Sequence, residues 1–279
     1  MATHEIEIRK GRRFRFGRNW RRFLKTLNDE RIATAEQSLR SMLGVQSLAG
    51  KNFLDIGSGS GIFSLAACRM GARVHSFDFD PDSVDCTRIL KSRYFPADPH
   101  WTIAEGSVLD DNFMHSLGQF DVVYSWGVLH HTGQMWRAVG NAVEATAPGG
   151  LLFIALYNDE GPKSRIWWWI KRTFNFLPLP LRIPYGVVIS GLWELRAFLV
   201  ECAKLQPWKY FQNWFKYQKV SLRGMSRWHD IIDWIGGFPF EVAKPEEVLD
   251  AGRARGLTLI RLVTTRGLGC NQYVFLRPA

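Results

Sequence analysis

Short apolar runs alternate with amphipathic stretches along the first half of the chain. Residues 52–56 form an apolar run that leads into a glycine cluster, and residues 62–70 then follow a helical spacing up to Gly71. A second apolar run at 72–77 is followed by a helical pattern at 81–93. This alternation of strand and helix predicts a parallel sheet with helices packed on its faces.

The same alternation continues, stops after residue 157, and resumes near the end of the chain. Five further strands are predicted, at 101–105, 120–126, 151–157, 257–264 and 272–276. Helices are predicted at 135–147 and 245–255, on either side of about eighty residues that lack the pattern. The tight glycine-bearing link between the two final strands predicts an antiparallel hairpin at the edge of the sheet.

The segment before the first strand begins as a basic, aromatic arm and becomes a helix. Its apolar residues recur at roughly helical spacing, and they are Trp20, Phe23, Leu24, Leu27, Ile32, Ala35, Leu39 and Leu43. We therefore expect residues 1–50 to form an N-terminal arm and a lid helix that precede the main domain.

The segment at 161–223 is aromatic and basic, and prolines at 178, 180, 184 and 207 divide it into three predicted helices. Six of the twelve tryptophans lie between Trp167 and Trp214. A lid over a pocket, a surface that meets anionic lipid headgroups, a nucleic-acid-binding surface, and a structural subdomain or dimer face all fit this composition. The sequence leaves these four interpretations open.

The net charge of +10 is distributed unevenly along the chain. Residues 1–26 carry nine Lys and Arg against two Glu, and residues 161–223 carry eleven against two, so the remainder is acidic. A hydrophobic content of 46% with 22% charged residues is ordinary for a globular protein and excludes a disordered class. The basic character therefore belongs to two attachments to an acidic domain.

Cysteine usage and hydropathy indicate a reduced, cytoplasmic protein. The four cysteines are far apart, and no two have the spacing of a zinc or redox motif. The N-terminus lacks the apolar run of a signal peptide, and the best candidate for a membrane span, 183–203, carries Glu194, Arg196 and Glu201. We expect no bilayer-spanning helix, although peripheral contact with the inner membrane face is compatible with the basic insertion.

A glycine cluster at the end of the first strand indicates a nucleotide-type cofactor site. Gly57, Gly59 and Gly61 stand at alternate positions, where the backbone must turn sharply and approach a ligand closely. Asp78, 21 residues beyond Gly57, ends the next strand, where a carboxylate can accept hydrogen bonds from both ribose hydroxyls.

A structural turn and a dinucleotide site are the two other interpretations of this glycine cluster. A purely structural glycine turn would not require the strand before it, the helix after it and the acid at the next strand end. A nicotinamide dinucleotide site usually spaces its glycines as G-x-G-x-x-G, whereas the sixth position here is Ile62. The missing close-packing glycine favours a cofactor without phosphate groups.

Five motifs resemble, in order and spacing, those of class I methyltransferases that use S-adenosylmethionine, most closely the branch of the ubiquinone-biosynthesis enzymes. They are 55–61, Asp78, 105–107, 120–123 with 128–131, and 148–151. The resemblance covers about 51–157 and the last 35 residues. It implies an α/β, Rossmann-like, seven-stranded and mostly parallel sheet whose last strand is antiparallel. Residues 51–160 and 241–279 would form this domain, and 161–240 a helical lid insertion after strand 5.

The resemblance also implies which residues hold the cofactor. Asp55 and Gly57 would lie near its methionine end, Asp78 would hold the ribose, and Ser107 with Val108 would flank the adenine. Ser125 and Trp126 would line the channel to the sulfonium. The complete predicted set is Asp55, Gly57, Ser58, Gly59, Gly61, Asp78, Phe79, Ser107, Val108, Ser125 and Trp126.

Methyl transfer from a sulfonium gains most from alignment and exclusion of water, and it needs a base only when the acceptor has a proton to lose. His130 and His131 follow the fourth strand, at the sheet edge where ligands of such folds bind. Some O-methyltransferases place a catalytic histidine in a similar Trp-x-x-His context, although here the spacing from Trp126 is one residue longer. His130 is therefore one candidate base, and a loop-packing role is the alternative.

His229 is the first candidate base. His229 and Asp233 are four residues apart and would share a helix face, so that the carboxylate can orient the imidazole. The alternative is an ordinary amphipathic helix with Trp228, Ile231, Ile232 and Ile235 buried.

We predict a methyltransferase that acts on a small-molecule oxygen, sulfur or nitrogen nucleophile, such as a phenol, quinol or thiol. The arm, the insertion and the residues around Trp228 would enclose the acceptor, with Trp20, His131, Tyr157 and Trp228 in contact with it. The cofactor would leave as S-adenosylhomocysteine, with no metal involved, and the protein would be a monomer or homodimer. An RNA or tRNA methyltransferase and a nicotinamide-dependent oxidoreductase are the alternatives.

Overall fold

A seven-stranded sheet lies at the centre of the computed structural model, which describes residues 3–220 and 227–279. The side chain of His229 lies outside the described ones. The strands are β1 (Asn52–Ile56), β2 (Arg73–Asp78), β3 (Trp101–Glu105), β4 (Phe120–Trp126), β5 (Thr146–Tyr157), β6 (Thr258–Val263) and β7 (Cys270–Leu276). Their order across the sheet is β3-β2-β1-β4-β5-β7-β6.

Helices precede, cover and interrupt this sheet. The arm contains α1 (Thr3–Arg9), α2 (Gly17–Leu24) and α3 (Asp29–Leu43). The sheet domain contains α4 (Ile62–Arg69), α5 (Pro81–Tyr94), α6 (Asp111–Leu117), a 3₁₀ turn (Leu129–His131), α7 (Met135–Glu144) and α12 (Pro245–Ala254). The insertion contains α8 (Pro162–Phe176), α9 (Leu179–Ala203), α10 (Pro207–Val220) and α11 (Arg227–Gly236).

The pairing of the strands confirms the predicted fold class. β1 to β5 pair in parallel, whereas β7 runs antiparallel to both β5 and β6. β6 and β7 form the predicted hairpin at the sheet edge. Because the parallel strands share a direction, the ends of β1, β2 and β4 meet at one edge, where ligands bind in open α/β sheets.

Two hydrophobic cores cover the two faces of the sheet. On one face, side chains of α3, α4 and α5 such as Leu39, Leu65 and Leu90 are fully buried against the strands. On the other, α7 and α12 contribute Ala138 and Val248. Strands that are buried on both faces consist of continuous apolar residues, so these strands could be predicted from the sequence.

The arm is divided into more pieces than its apolar spacing suggests. The helix expected through residue 43 is broken at 25–28, where Asn28 accepts a hydrogen bond from the Arg31 N–H and caps α3. An asparagine at this position satisfies main-chain N–H groups that otherwise lack partners at a helix start. The break separates α2, which contacts α5, from α3, which packs on α4.

The insertion forms three helices before α11, as the prolines predicted, but Pro184 lies inside α9 rather than between helices. By length and composition α9 suffices to cross a bilayer, with a mean hydropathy of 1.3 over a window that is 11% buried. Helices of soluble proteins pass the same test, so the expectation that no helix spans a bilayer stays a prediction. A small third core joins Phe174 to Ile231 and Ile235 of α11.

Candidate active site

The glycine turn between β1 and α4 is packed so closely against its neighbours that these positions require glycine. Gly57 has a φ of +76°, and a Cβ there would lie 2.4 Å from Val128. Gly61 has a φ of +80°, and its Cβ would lie 2.9 Å from Thr87 Cα. The turn is fixed to β2 because Gly57 and Ser58 both donate main-chain hydrogen bonds to the Phe77 carbonyl. Side chains at these glycines would push the turn out of this position.

Asp78 faces this turn from the end of β2. Its Oδ2 accepts a hydrogen bond from Gly59 N at 2.9 Å, and its Oδ1 accepts one from Asp80 N at 2.9 Å. Burial raises the pKa of Asp78 to about 6, because the charged carboxylate is removed from water. The carboxylate therefore lies beside the turn, where a ribose would need a hydrogen-bond acceptor.

Asp55 lies beneath the turn rather than at its surface. Its Oδ2 accepts a hydrogen bond from Ser64, which in turn accepts one from Ser76 at 2.7 Å, and Ser76 also accepts one from Trp101 Nε1 at 2.9 Å. Burial raises the pKa of Asp55 to about 7. This chain of hydrogen bonds fixes the carboxylate under the start of α4.

The other predicted cofactor residues lie around the same edge in different environments. Ser58 shares a hydrogen bond with Thr87, and Ser107 accepts one from Leu109 N. Val108 is buried in the second core, and Ser125 is buried and donates to the Ile56 carbonyl. Trp126 is 37% exposed, and its Nε1 donates to Gln272 on β7 at 3.2 Å.

The N-terminal arm lies over the cofactor edge and continues towards the acceptor side. The Trp20 ring lies against Gly59, within 3.0 Å of where a Cβ would be, so Trp20 covers the turn. The Arg13 guanidinium lies 4.7 Å from the centre of the Phe79 ring and donates to the His131 carbonyl at 3.1 Å. Gly17 N donates to Asp80 at 2.8 Å. The N-terminal arm thus contacts both the glycine turn and His131.

His130 is fully buried beside Tyr157, with ring centres 3.9 Å apart. Its Nδ1 accepts a hydrogen bond from Tyr157 N at 3.3 Å, so in the neutral ring the proton is on Nε2. Burial holds the pKa of His130 well below its ordinary value. A neutral histidine in this tautomer is a hydrogen-bond donor at Nε2, which disfavours the predicted role of His130 as a base.

His131 has the opposite tautomer. Its Nδ1 lies 2.5 Å from the Pro239 carbonyl, which can only accept, so Nδ1 carries the proton and Nε2 is an acceptor. The ring contacts Phe16 at 5.0 Å and Tyr157 at 5.4 Å between centres. The two adjacent histidines therefore present a donor and an acceptor to neighbouring positions.

A fully buried lysine lies next to this pair, and the sequence analysis did not single it out. Lys171 of α8 donates a hydrogen bond to the Trp234 carbonyl. Its Nζ is 4.2 Å from the Trp234 ring centre, 4.9 Å from that of Phe240 and 5.8 Å from that of Trp167. Burial lowers the pKa of Lys171 to about 7, and the Asp233 carboxylate opposes this effect. An amine with such a pKa is partly neutral near pH 7.

Helix α11 supplies the other wall of this region. Asp233 is buried, and its Oδ1 accepts a hydrogen bond from Asn19 of α2. Ile231 and Ile235 are buried and Trp228 is half-buried, so α11 also has the amphipathic pattern of the structural alternative. The predicted pairing of Asp233 with His229 involves the His229 side chain, which lies outside the part of the protein that the structure describes.

A cluster of polar side chains (His130, His131, Tyr157, Lys171 and Asp233) packs with the rings of Phe16, Trp167, Trp234 and Phe240, and we name this cluster the acceptor chamber after the role that we propose for it below. A cleft of about 300 Å³ opens beside it, lined by Asp159, Gly161, Ser164, Arg165, Trp168, Phe240 and Val242. Phe240 belongs to both, because its ring contacts Lys171 and Tyr157 as well as the cleft. Phe240 therefore separates the chamber from the cleft.

Metal and disulfide chemistry find no support in the described part of the chain. No group of three or more His, Cys, Asp or Glu within 3–220 and 227–279 is placed to hold a metal ion. No disulfide joins the four cysteines. The expectation that the reaction needs no metal stays a prediction.

Comparisons with known proteins agree with this geometry. Residues 15–179 match the "Methyltransferase domain" family. Ubiquinone biosynthesis O-methyltransferase of Methylobacterium sp. (strain 4-46) is 31% identical over 137 residues, which cover 46% of this chain and 49% of that one. tRNA U34 carboxymethyltransferase of Methylococcus capsulatus is 24% identical over 182 residues, covering 63% and 55%.

The fold is also that of a solved methyltransferase structure. Magnesium protoporphyrin IX methyltransferase from Synechocystis PCC 6803, solved with bound SAH, superposes with a TM-score of 0.53 at 14% identity and covers 93% of both chains. At this identity the likeness concerns the fold alone. The chain spans about half the length of the curated relatives it matches, so their substrates do not transfer directly.

Proposed function

Because the chain belongs to the methyltransferase-domain family and is a methyltransferase that uses S-adenosylmethionine, we propose that it methylates a small nucleophile held in the acceptor chamber. This family membership removes the nicotinamide-dependent oxidoreductase alternative. The observation that carries the proposal is the chamber itself, in which buried polar groups are enclosed by aromatic rings directly beyond β4 and β5.

The residues at the glycine turn suit this cofactor. The Gly57 cradle leaves no space for a Cβ, and the Asp78 carboxylate beside it can accept from ribose hydroxyls. When bound, S-adenosylmethionine supplies a methyl group on a positively charged sulfur and leaves as S-adenosylhomocysteine. The contribution of Trp20 is to cover the turn and exclude water, which strengthens the electrostatic interactions inside.

The chamber residues would align the acceptor and remove its proton. The bond from the acceptor atom to the methyl carbon forms as the bond from carbon to sulfur breaks. In our proposal the acceptor's proton passes to the neutral amine of Lys171, which becomes an ammonium ion that the surrounding rings and Asp233 stabilise. A base is most efficient when its pKa lies near the working pH, and the pKa of Lys171 is about 7.

The two chamber histidines would orient the acceptor rather than take its proton. His130 offers a donor at Nε2 that can hold the oxygen or sulfur of the acceptor, so the acceptor's own proton stays available for Lys171, and His131 packs against Tyr157 beside it. His229 is a second candidate base, and Asp233 would orient it. If His229 takes part, His229→Ala lowers turnover while the affinity for S-adenosylmethionine stays within about twofold, and unchanged turnover removes it from the mechanism.

The cleft beside Phe240 limits the size of the acceptor that we propose. A volume of about 300 Å³ is at the lower end of ligand pockets and suits a single substituted ring or a smaller thiol. Trp168 and Phe240 offer aromatic faces for such a ring, and Arg165 offers a positive charge at the edge. The proposed acceptor class is therefore phenols, quinols and small thiols.

Methylation of RNA is the second candidate, because the longest match to a curated relative named above is to a tRNA-modifying enzyme. A surface groove between α2 and α5, of about 690 Å³, contains Lys25 and Arg93 together with Arg21 and Arg88, which pair with Asp85, so its net charge is positive and can attract a phosphate backbone. RNA bound there would dissociate steeply as salt is raised.

We also propose that the protein works in a reducing compartment such as the cytoplasm, because its four cysteines form no disulfide. Blocking the cysteines with an alkylating reagent under native and denaturing conditions tests this in cell extract. Equal labelling with and without prior reduction supports the proposal, whereas labelling that needs a reductant contradicts it.

The experiment that tests the function is an acceptor panel read by release of S-adenosylhomocysteine. The panel contains phenols, quinols, small thiols, amines and unmodified tRNA, each with and without protein. We expect release with at least one phenol, quinol or thiol and none with tRNA above the background without acceptor. Release with tRNA alone would replace the small-molecule proposal with the RNA candidate.

A further inference from the structure

Most of the exposed large apolar side chains in the described residues lie between 166 and 215, on the insertion. Five of them form one stripe along α9 at spacings of 7, 4, 3 and 4 residues, and they are Leu181, Val188, Leu192, Leu195 and Leu199. Leu192 is 72% exposed, and Phe176 at the end of α8, Leu205 after the end of α9 and Phe215 within α10 are 84%, 82% and 79% exposed. An exposed apolar stripe of this length is unusual on the surface of a monomeric protein and marks an interaction surface.

Basic side chains accompany this apolar surface. Arg165, Arg196, Lys209 and Lys216 are exposed and form no ion pair within the described residues. Both carboxylates of α8, α9 and α10 have partners: Glu194 binds Arg227 at 2.9 Å, and Glu201 binds Lys204 at 2.9 Å. The charge that the insertion presents to an approaching surface is therefore positive.

We propose that the outer face of α8, α9 and α10, here named the docking face, binds the surface of an anionic lipid bilayer. Aliphatic side chains enter the boundary between headgroups and acyl chains, while Lys and Arg attract anionic headgroups. Tryptophans such as Trp169 and Trp208, which are 61% and 55% exposed, suit the same boundary.

The charge of the docking face favours lipid over a second copy of the chain. Two copies joined through this face would bring like charges together at close range. RNA would complement the charge, but bases stack on aromatic rings and leave an aliphatic stripe exposed to water. An anionic bilayer complements both the charge and the apolar stripe.

Helix α9 lies on the bilayer in this proposal rather than across it. Its inner side is held by the protein, since Glu194 near its middle binds both Arg227 of α11 and the Tyr210 hydroxyl of α10. Gly186 and Ser190 are buried against the insertion core. A spanning helix would have to leave these partners and carry Glu194 into hydrocarbon.

The docking face adjoins the entrance to the acceptor chamber. Helix α8 presents Ile166 and Trp169 outwards, Lys171 into the chamber, and Arg165 and Trp168 to the cleft. This part of the inference rests on the proposed function: an acceptor with an apolar tail would reach the cleft from the bilayer.

Flotation with lipid vesicles tests the docking face. The full chain is mixed with vesicles of phosphatidylcholine alone or with about 30% phosphatidylglycerol, and lipid-bound protein is measured. We expect roughly tenfold stronger binding to the anionic vesicles and a loss of about tenfold in Leu195→Glu. Ile260→Glu is the matched control, because Ile260 is 54% exposed on β6 while Leu195 is 55% exposed on α9.

Light scattering and methyl transfer in the absence of vesicles complete the test. Failure to float on anionic vesicles overturns the docking face, as does equal loss in both variants. A dimer that Leu195→Glu dissociates would assign the face to self-association, and binding to RNA that Leu195→Glu abolishes would assign it to nucleic acid. Turnover of a water-soluble acceptor by Leu195→Glu at the rate of the unaltered chain shows that the proposed function stands independently of docking.

Discussion

The sheet domain buries its large apolar side chains, whereas the insertion leaves many of them exposed. Phe53, Phe77, Phe153 and Trp101 are enclosed between two layers of helices. The insertion has a small core around Phe174 and leaves the stripe on α9 in water. The sheet domain therefore buries its own apolar side chains, whereas the exposed stripe of the insertion is the observation from which we propose the docking face.

The two regions also differ in how burial changes their ionisable groups. In the sheet domain, burial raises the pKa of Asp55 to about 7 and that of Asp78 to about 6. In the insertion, burial lowers the pKa of Lys171 to about 7. The Asp78 carboxylate that we propose to hold the cofactor thus lies on one side of the site, and the amine that we propose as a base lies on the other.

The largest effect that separates the two regions is expected from Lys171→Met, which keeps the apolar stem and removes the amine. Turnover should fall by about 10²-fold or more, because proton transfer then has no positioned base. Isothermal titration should show S-adenosylmethionine affinity within about twofold of the original. Lys163→Met, on the exposed side of the same helix, is the control. Equal turnover in Lys171→Met would assign the lysine a purely structural role.

Asp78→Ala should act on the opposite side of the site. Loss of the carboxylate leaves ribose hydroxyls without an acceptor, which costs about 1–3 kcal/mol, or roughly 5- to 150-fold in affinity. Calorimetry with S-adenosylmethionine measures this directly. The comparison variant is Asp85→Ala, because the Asp85 side chain is exposed on α5. An unchanged affinity in Asp78→Ala would remove Asp78 from the ribose site.

The pH dependence of cofactor binding sharpens the same assignment. The pKa of Asp78 is raised to about 6, so its carboxylate becomes protonated as the pH falls through 6. If only the carboxylate binds the ribose, affinity should fall about tenfold for each pH unit below 6 and level off above 7. Asp78→Asn should remove this dependence. A pH profile that is unchanged in Asp78→Asn would point to another group.

The smallest effect concerns stability. The pKa of Asp55 is about 7 in the folded protein and 3.8 in a model peptide, so the folded state binds its proton more tightly. The free energy of unfolding should therefore fall as the pH rises from about 4 to 7. Between pH 5 and 7.5 the Tm of the unaltered chain should fall, and we expect this fall to be about 2–4 °C smaller in Asp55→Asn, as measured by calorimetry. If the Tm of Asp55→Asn changes with pH as steeply as that of the unaltered chain, Asp55 is not the group whose raised pKa lowers the stability.

The strands and the glycine turn could be predicted because local physics determines them. Strands buried on both faces need apolar residues throughout, and Gly57 and Gly61 adopt positive φ values that favour glycine. The predicted hairpin of β6 and β7 followed from the short link between them. Each of these features depends on residues that are close together in the sequence.

The acceptor chamber depended on contacts that the sequence does not display. Lys171 stands in a basic stretch, and only the packing of α8 against α11 encloses it among Trp234, Phe240 and Trp167. The tautomers of His130 and His131 likewise depend on the main chain at Tyr157 and Pro239. The sequence alone does not distinguish one buried lysine from the exposed basic residues around it.

Hydrogen exchange with and without S-adenosylhomocysteine tests most directly the division of the molecule into a cofactor side and an acceptor side. We expect slower exchange at the turn around Gly57, at the end of β2 and in α2, which carries Trp20, with the outer helices α9 and α10 unchanged. Protection confined to α9 and α10, with the turn and β2 unaffected, would contradict it.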